Sequence, residues 1–131
     1  MFLDASAIIG IIALEDAAAG LAGRLSQARR KYTAAVALFE ATAGLARIAN
    51  ASAADALALV ERFLSEIGAT ITPIDHTTAG VAVAAFDRFG KGRHPADLNM
   101  SDCVAYACAR NLDVPLLCKE SDFPRTDISL A

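Results

Sequence analysis

Hydrophobic and polar positions along the chain alternate between short β-like runs and longer stretches of helical periodicity. The helical period is clearest between Ala53 and Ile67, where large apolar residues recur three or four positions apart. The pattern predicts helices at Ser6–Leu14, Ala17–Arg30, Val36–Ala49, Ala53–Ile67, His76–Phe89 and Met100–Arg110. It predicts strands at Met1–Leu3, Lys31–Thr33, Thr70–Ile74 and Val114–Cys118, with a short edge strand at Thr126–Leu130.

This alternation of strands and helices predicts an α/β fold. Strands separated by helices are joined by crossover connections, which favour parallel pairing with helices on both faces of the sheet. We therefore expect a three-layer α/β/α arrangement around a mainly parallel sheet of four to five strands. With 131 residues and no linker or repeat, the whole range 1–131 is expected to form one domain.

The composition of the chain bears on its cellular location and on its partners. The longest apolar stretch, Ala5–Leu14, is interrupted by Ser6 and Gly10 and is far shorter than the ~20 residues of a membrane helix. The first residues carry no basic region ahead of an apolar run, so no secretory signal is expected. We expect a cytoplasmic protein with no membrane partner. The formal net charge of -3 means that any attraction to nucleic acid must be local.

The three cysteines do not suggest a disulfide or zinc site. Cys103, Cys108 and Cys118 are an odd number and include no C-x-x-C pair. We expect them to be buried and to pack as small hydrophobic side chains.

Three acids fall where ligands gather in such a fold, beyond the carboxyl ends of the parallel strands. Asp4 ends the first predicted strand and Asp102 lies in the first turn of a predicted helix, so both are also typical helix-capping residues. Glu40 differs, because its neighbours at three and four residues along its helix are all apolar or small. A buried carboxylate without a partner is costly, which predicts a cation from elsewhere or an edge position open to water.

Two further acids, Glu120 and Asp122, follow directly after the fourth predicted strand. An exposed turn would account for them equally well, yet they fall at the same sheet edge as Asp4. Two carboxylates about 4 Å apart repel by roughly 4 kcal/mol at an effective dielectric of 20. A cluster of acids at this edge therefore needs a counter-charge, and oxygen ligands favour Mg²⁺, with Mn²⁺ as a substitute.

The motifs that surround these acids resemble one known family. They are FLDAS at residues 2–6, GKGRHPADLNMSDCVAYA at residues 90–107 and LLCKESDFPRTDI at residues 116–128. Together with Glu40, these segments resemble the PIN-domain toxins of the VapC family over essentially the whole chain. The resemblance implies an Mg²⁺-dependent endoribonuclease of a bacterial toxin–antitoxin pair, inhibited by a VapB-type antitoxin and commonly a homodimer.

The resemblance also implies roles for individual residues. Asp4, Glu40 and Asp102 match the metal-binding, catalytic acids of the family, and Asp122 is expected as the fourth, with Glu120 as the alternate. Ser6 matches a position where a hydroxyl supports the metal ligands. In the implied mechanism, metal-activated water hydrolyses the RNA phosphodiester bond, and Glu40 either binds metal or orients the water.

Two sets of residues remain open to more than one interpretation. Asn99 either orients Asp102, contacts substrate or simply caps the helix. Lys91 and Arg93 lie in a glycine-flanked loop, where they either bind RNA phosphates or remain solvated.

Two other functions compete with the nuclease. An acidic α/β phosphotransfer domain would use Asp4 as phosphoryl acceptor, but Ser6 stands where a phosphatase of the haloacid dehalogenase type needs a second Asp. A PIN-like module without catalytic activity would act only through protein contacts, which the retained acids argue against. The sequence identifies neither the RNA target nor the antitoxin, nor whether one or two ions bind.

Overall fold

The computed structural model describes residues 1–119 and 122–131. The strands in these ranges are β1 (Phe2–Leu3), β2 (Lys31–Ala34), β3 (Ala69–Thr72) and β4 (Leu116–Leu117). The α-helices are α1 (Ala5–Ile12), α2 (Ala18–Ser26), α3 (Ala35–Ala49), α4 (Ala53–Glu66), α5 (His76–Phe89) and α6 (Met100–Asn111). A short 3₁₀ turn, Phe123–Arg125, follows β4.

The four strands pair in parallel in the order β3-β2-β1-β4. The chain builds outward from β1 to β3 and then returns to place β4 on the other side of β1. Phe2 lies in register with Tyr32 on one side and Leu116 on the other. The order therefore reverses beside β1, and this reversal creates the crevice where α/β proteins bind ligands.

Alternating residues along β1 and β4 separate two cores. Phe2 and Leu116 face the core built with α5 and α6, which includes Phe89 and Tyr106. The next residue of each strand belongs to the other core, which is built with α1, α2, α3 and α4. Because successive strand residues point to opposite faces, helices cover both faces of the sheet. The three-layer α/β/α expectation is confirmed, with four strands in the described residues.

Local chain signals explain where the helices between the strands end. Asn50 adopts a left-handed conformation at φ 48° and ends α3, and Gly68 does the same after α4 at φ 65°. Ser52 begins α4 by accepting a hydrogen bond from the Asp55 amide.

The edge strand predicted at Thr126–Leu130 is wrong. This segment makes one isolated parallel bridge, between Leu116 and Leu130, and it is otherwise held by side chains. The Thr126 hydroxyl donates to the Phe123 carbonyl and accepts from the Ile128 amide. Local turn bonds thus use the polar groups that strand pairing would need.

Two smaller expectations concern burial and membranes. Cys103, Cys108 and Cys118 are all buried, as predicted. Among the described residues, no helix combines the length and apolar character needed to cross a bilayer.

Candidate functional site

Asp4 lies at the crevice beside β1, directly after the strand ends. It is the N-cap of α1, and its Oδ2 accepts hydrogen bonds from the Ser6 amide at 3.0 Å and the Ser6 hydroxyl at 2.5 Å. Only 5% of its surface is exposed. Burial raises the pKa of the Asp4 carboxyl, the Ser6 hydrogen bonds oppose the rise, and the Glu40 charge adds to it. Asp4 is therefore both the N-cap of α1 and a buried acid whose charged form is disfavoured by burial and by the Glu40 charge.

Ser6 connects the first motif to the segment after β4. Its hydroxyl donates to Asp4 and also accepts a hydrogen bond from the Lys119 amide at 3.0 Å. The residues on either side of this link are far apart in sequence, so the hydroxyl fixes two elements around Asp4. The support of metal ligands expected of Ser6 stays a prediction.

Glu40 extends from α3, which begins where β2 ends. The helix buries Ala37, Ala41, Gly44 and Leu45. Glu40 lies outside that buried set and is half-exposed. Its charge raises the pKa of both Asp4 and Asp102, so the carboxylate lies within electrostatic range of those two acids. Of the two alternatives expected for Glu40, a cation from elsewhere or an edge position open to water, the structure shows the second.

Asp102 reaches the same edge because α6 runs back toward the start of β4 and so begins beside the carboxyl ends of the strands. Asn99 is the N-cap, and its Oδ1 accepts from the Asp102 amide at 3.1 Å while Asp102 Oδ2 accepts from the Asn99 amide at 2.8 Å. This capping box fixes the Asp102 side chain. Asn99 thus acts as a cap that also orients Asp102.

The pKa of Asp102 is raised to about 6. Burial is the largest cause, and the charges of Asp4, Glu40 and Asp122 add to it, while the Asn99 amide acts in the opposite direction. Three carboxylates from separate parts of the chain therefore act on one acid.

Asp122 is positioned by the motif that follows it. Phe123 is buried with 2% exposure and anchors the 3₁₀ turn. Asp127 accepts from the Tyr106 hydroxyl at 2.6 Å and forms an ion pair with Arg88 at 3.0 Å. These contacts fix the segment to α5 and α6, which explains why an aromatic residue and a second Asp accompany Asp122.

The acidic cluster, defined here as Asp4, Glu40, Asp102 and Asp122, gathers at one sheet edge. In the part of the chain that the structure describes, none of the four forms an ion pair with Lys, Arg or His. Within residues 1–119 and 122–131, no three His, Cys, Asp or Glu side chains lie close enough to hold one ion together. Glu120, the alternate fourth acid, lies outside the described residues.

The basic loop lies next to the beginning of α6. The Lys91 amide donates to the Leu98 carbonyl, one residue before Asn99, so the loop borders the acidic cluster. Lys91 is exposed. Arg93 forms an ion pair with Asp87 at 3.1 Å and lies 5.1 Å from the Phe86 ring centre. Of the two expected RNA contacts, Arg93 is thus paired with an acid, whereas Lys91 forms no ion pair among the described residues.

One ion pair beside the cluster was missed from the sequence. Lys119 Nζ lies 2.6 Å from Glu15 Oε2, and the Lys119 main chain is already bonded to Ser6. The position of Lys119 directly after β4 is the signal that identifies it in the sequence. Its cation lies at the border of the site but is held by Glu15.

Comparison with known proteins identifies the class of this chain. A profile of the PIN domain matches residues 1–129, so the fold belongs to the PIN-domain class. Ribonuclease VapC36 of Mycobacterium tuberculosis is 36% identical over 133 residues, covering 98% of this chain and 91% of the relative. Ribonuclease VapC28 of the same species is 36% identical over 100% of this chain and 97% of its own length. A VapC ribonuclease of Rhizobium meliloti is 37% identical over 97% of this chain and 98% of its own length. The chain belongs to the VapC ribonuclease family of PIN domains.

Proposed function

We propose that this chain is an Mg²⁺-dependent endoribonuclease, the toxic component of a VapBC toxin–antitoxin pair, built as one PIN domain over residues 1–131. The observation that carries the proposal is the acidic cluster at the strand-order reversal, where Asp102 is acted on by three other carboxylates. The names of the VapC ribonucleases to which the chain is similar support RNA as the substrate. We infer that it acts in the cytoplasm, where cellular RNA is available.

The residues present suit a hard divalent ion. The cluster offers carboxylate oxygens only, and buried Asp4 lacks a cationic side-chain partner among the described residues. Oxygen donors are the ligands preferred by Mg²⁺ and Mn²⁺. We assign Asp4, Asp102 and Asp122 as ligands, with Glu40 as a further ligand or the residue that orients the attacking water. Glu120 remains the alternate to Asp122. Since no three of the described acidic side chains lie close enough to hold one ion, the carboxylates of the acidic cluster must move closer to one another when the ion binds.

When bound, the ion would activate water and stabilise charge on the scissile phosphate. The protein's own contribution is positioning. Ser6 holds the Oδ2 oxygen of Asp4, and the capping box with Asn99 holds the Oδ2 oxygen of Asp102. Glu40, half-exposed on the open side, is placed to accept a proton from water.

RNA cleavage tests this proposal directly. Cellular RNA is incubated with the protein in Mg²⁺ or EDTA, and new ends are mapped. We expect cleavage only with Mg²⁺ and a loss on the order of 100-fold or more in Asp4→Ala and Asp102→Asn. Asp16→Asn is the matched control, because Asp16 is exposed and lies outside the cluster.

Other outcomes separate the competing functions. Equal inactivity of wild type and Asp4→Ala toward all RNAs would favour a non-catalytic PIN-like module. Labelling of Asp4 by acetyl phosphate would instead favour a phosphotransfer domain.

We also propose that RNA phosphates contact Lys91, with Arg93 contributing once it is released from Asp87. Lys91→Gln should weaken RNA binding in EDTA and lower its salt dependence by about one phosphate contact. Unchanged binding would leave Lys91 as a solvated loop residue.

We propose a VapB-type antitoxin and a second copy of the chain as protein partners. The alanine-rich helices α2 and α4 bury Leu21, Leu25, Val60 and Leu64 in the core, so their apolar faces are not free for docking. Exposed apolar side chains instead border a groove of about 310 Å³ between α5 and α6, including Val83 at 69% and Met100 at 74% exposure. We assign this groove to the second copy. Met100→Glu should lower the mass measured by light scattering, whereas Leu14→Glu, equally exposed, should not.

A further inference from the structure

Positive charge is concentrated in one short segment of this acidic protein. Four of the 12 lysines and arginines lie between residues 24 and 31, namely Arg24, Arg29, Arg30 and Lys31. No Asp or Glu occurs from residue 17 to residue 39. The segment therefore carries four cations and no anion, in a chain whose formal net charge is -3.

The fold places this segment at the sheet edge opposite the acidic cluster. Arg30 precedes β2 and Lys31 is its first residue, while Met1 precedes β1 and Pro115 precedes β4. All these strands are parallel, so the residues that precede them share the amino edge. A cleft of about 430 Å³ opens there. We call it the basic cleft, and its walls include Arg24, Gln27, Ala28, Arg29, Arg30 and Pro115.

The charges of the basic cleft are not neutralised by acids. Across residues 1–119 and 122–131, the cations that pair with acidic side chains are Arg62, Arg88, Arg93 and Lys119, all outside this segment.

One hydrogen bond and one pKa shift describe the interior of the basic cleft. Arg24 is held in place by a bond from its guanidinium to the main-chain oxygen of Ala131 at 2.8 Å. The pKa of the Met1 amino group is lowered by burial and then by the charges of Arg30 and Lys31, as a locally positive surface requires. Arg29 and Arg30 remain exposed.

We propose that the basic cleft binds backbone phosphates of the RNA substrate at a distance from the cleaved bond. The RNA identity rests on the proposed function, whereas the phosphate chemistry rests on the cleft itself. Guanidinium groups bind phosphate in a planar, bidentate manner, and the Gln27 amide supplies a neutral donor. The acidic cluster repels the backbone that it must approach, so attraction elsewhere on the surface compensates.

The dimensions allow one RNA to reach both edges. The helices that connect the two edges set their separation, since α3 has 15 residues, which at ~1.5 Å per residue span roughly 22 Å. We therefore expect an RNA that runs along the outside of the fold to need several nucleotides beyond the cleaved bond before a backbone phosphate reaches the basic cleft.

The test measures RNA binding without cleavage. Binding of a fluorescent single-stranded RNA to the full chain is followed by anisotropy in EDTA at several salt concentrations. In Arg29→Gln/Arg30→Gln we expect affinity to fall roughly tenfold and the slope of log K against log salt to decrease by about 1 to 2. The control Arg47→Gln/Arg62→Gln removes the same charge from exposed positions on α3 and α4 and should change affinity less than about twofold.

Binding equal to that of the control variant would overturn the proposal. A second arm titrates inorganic phosphate and follows the Arg29 and Arg30 amides by NMR. Phosphate binding there with RNA affinity unchanged in the double variant would assign the basic cleft to free phosphate and would also overturn it. The binding measurement is made in EDTA, which suppresses cleavage, so it can be interpreted even if the nuclease proposal fails. If the protein cleaves RNA but the double variant binds RNA as the wild type does, only the proposal for the basic cleft is refuted.

Discussion

At the scale of single residues, two side chains of the acidic cluster also cap helices. Asp4 and Asp102 each accept hydrogen bonds from first-turn amides, which fixes one carboxylate oxygen and the rotamer. The charge of Glu40 raises the pKa of both acids, and the charge of Asp4 also raises that of Asp102. The capping explanation therefore does not compete with a functional one, because a cap provides the fixed geometry that a ligand needs.

The raised pKa of Asp102 predicts a pH effect on stability. In the folded chain Asp102 binds its proton up to a pH of about 6, whereas the unfolded chain releases it near the ordinary aspartate pKa of 3.8. The folded state therefore holds the extra proton in this window, and this stabilisation is lost as pH rises from about 4 through 6. Because Asp102 is partly open to solvent, we expect about 1 kcal/mol and not the full value of the shift.

Urea unfolding without added metal measures this effect. The free energy of unfolding of the wild type should decrease more between pH 4 and pH 7 than that of Asp102→Asn, which keeps an acceptor for the Asn99 amide. Parallel pH dependences in the two proteins would contradict the raised pKa.

Ser6 offers a second test at this scale. Ser6→Ala removes the hydroxyl bond to buried Asp4 and the acceptor of the Lys119 amide. We expect a loss of roughly 1 to 3 kcal/mol in unfolding free energy, together with weaker RNA cleavage. Ser26→Ala is the matched control, since its hydroxyl bonds only an exposed helix carbonyl, and it should cost less than about 0.5 kcal/mol. Equal losses in the two variants would remove Ser6 from the site.

At the scale of elements, two glycines near α5 predict opposite effects of one substitution. A Cβ on buried Gly90 would collide with the carbonyl oxygen and ring of Phe86, whereas one on Gly80 would meet nothing within 4 Å. Gly90→Ala should therefore cost about 2 to 4 kcal/mol and disturb the loop before Asn99. Gly80→Ala should stabilise by about 0.5 to 1 kcal/mol, because alanine favours the helix interior. Thermal unfolding compares them, and equal melting temperatures would contradict the packing at Gly90.

Helices could be predicted from the sequence more securely than the last strand. The periodic pattern identified all six helices of the described chain, because each buries one face along its whole length. Thr126–Leu130 shows β-branched and apolar residues as well, but its polar atoms bond locally, and Asp127 binds Tyr106 and Arg88. Those partners lie on α5 and α6, so only the tertiary structure reveals them.

The site was similarly predictable only in part. Acids that follow strand ends could be named from topology alone, since parallel strands bring their carboxyl ends together. The Lys119–Glu15 ion pair and the basic cleft could not, because they depend on how α1, α2 and the strand connections pack. The sequence places the arginines at residues 24–30 near the end of a predicted helix, and only the fold brings Met1 and Pro115 beside them.

At the scale of the whole molecule, ion binding should couple the acidic cluster to global stability. The four carboxylates come from α1, α3, α6 and the segment after β4, so one ion would join elements from both cores. An ion that binds only the folded chain stabilises it by RT ln(1 + [L]/Kd), about 1.4 kcal/mol at tenfold excess over Kd. Millimolar Mg²⁺ should therefore raise the melting temperature by a few degrees.

Variants distinguish this coupling from a general salt effect. Asp102→Asn should start from a metal-free stability at neutral pH at least equal to that of the wild type, because it relieves repulsion, yet should gain little from Mg²⁺. Asp16→Asn should gain as much as the wild type, since Asp16 is exposed and apart from the cluster. Calorimetry with Mg²⁺, EDTA and an equal ionic strength of NaCl gives the comparison. Equal gains in all three proteins would mean that the ion acts on the surface at large and that the cluster does not bind it.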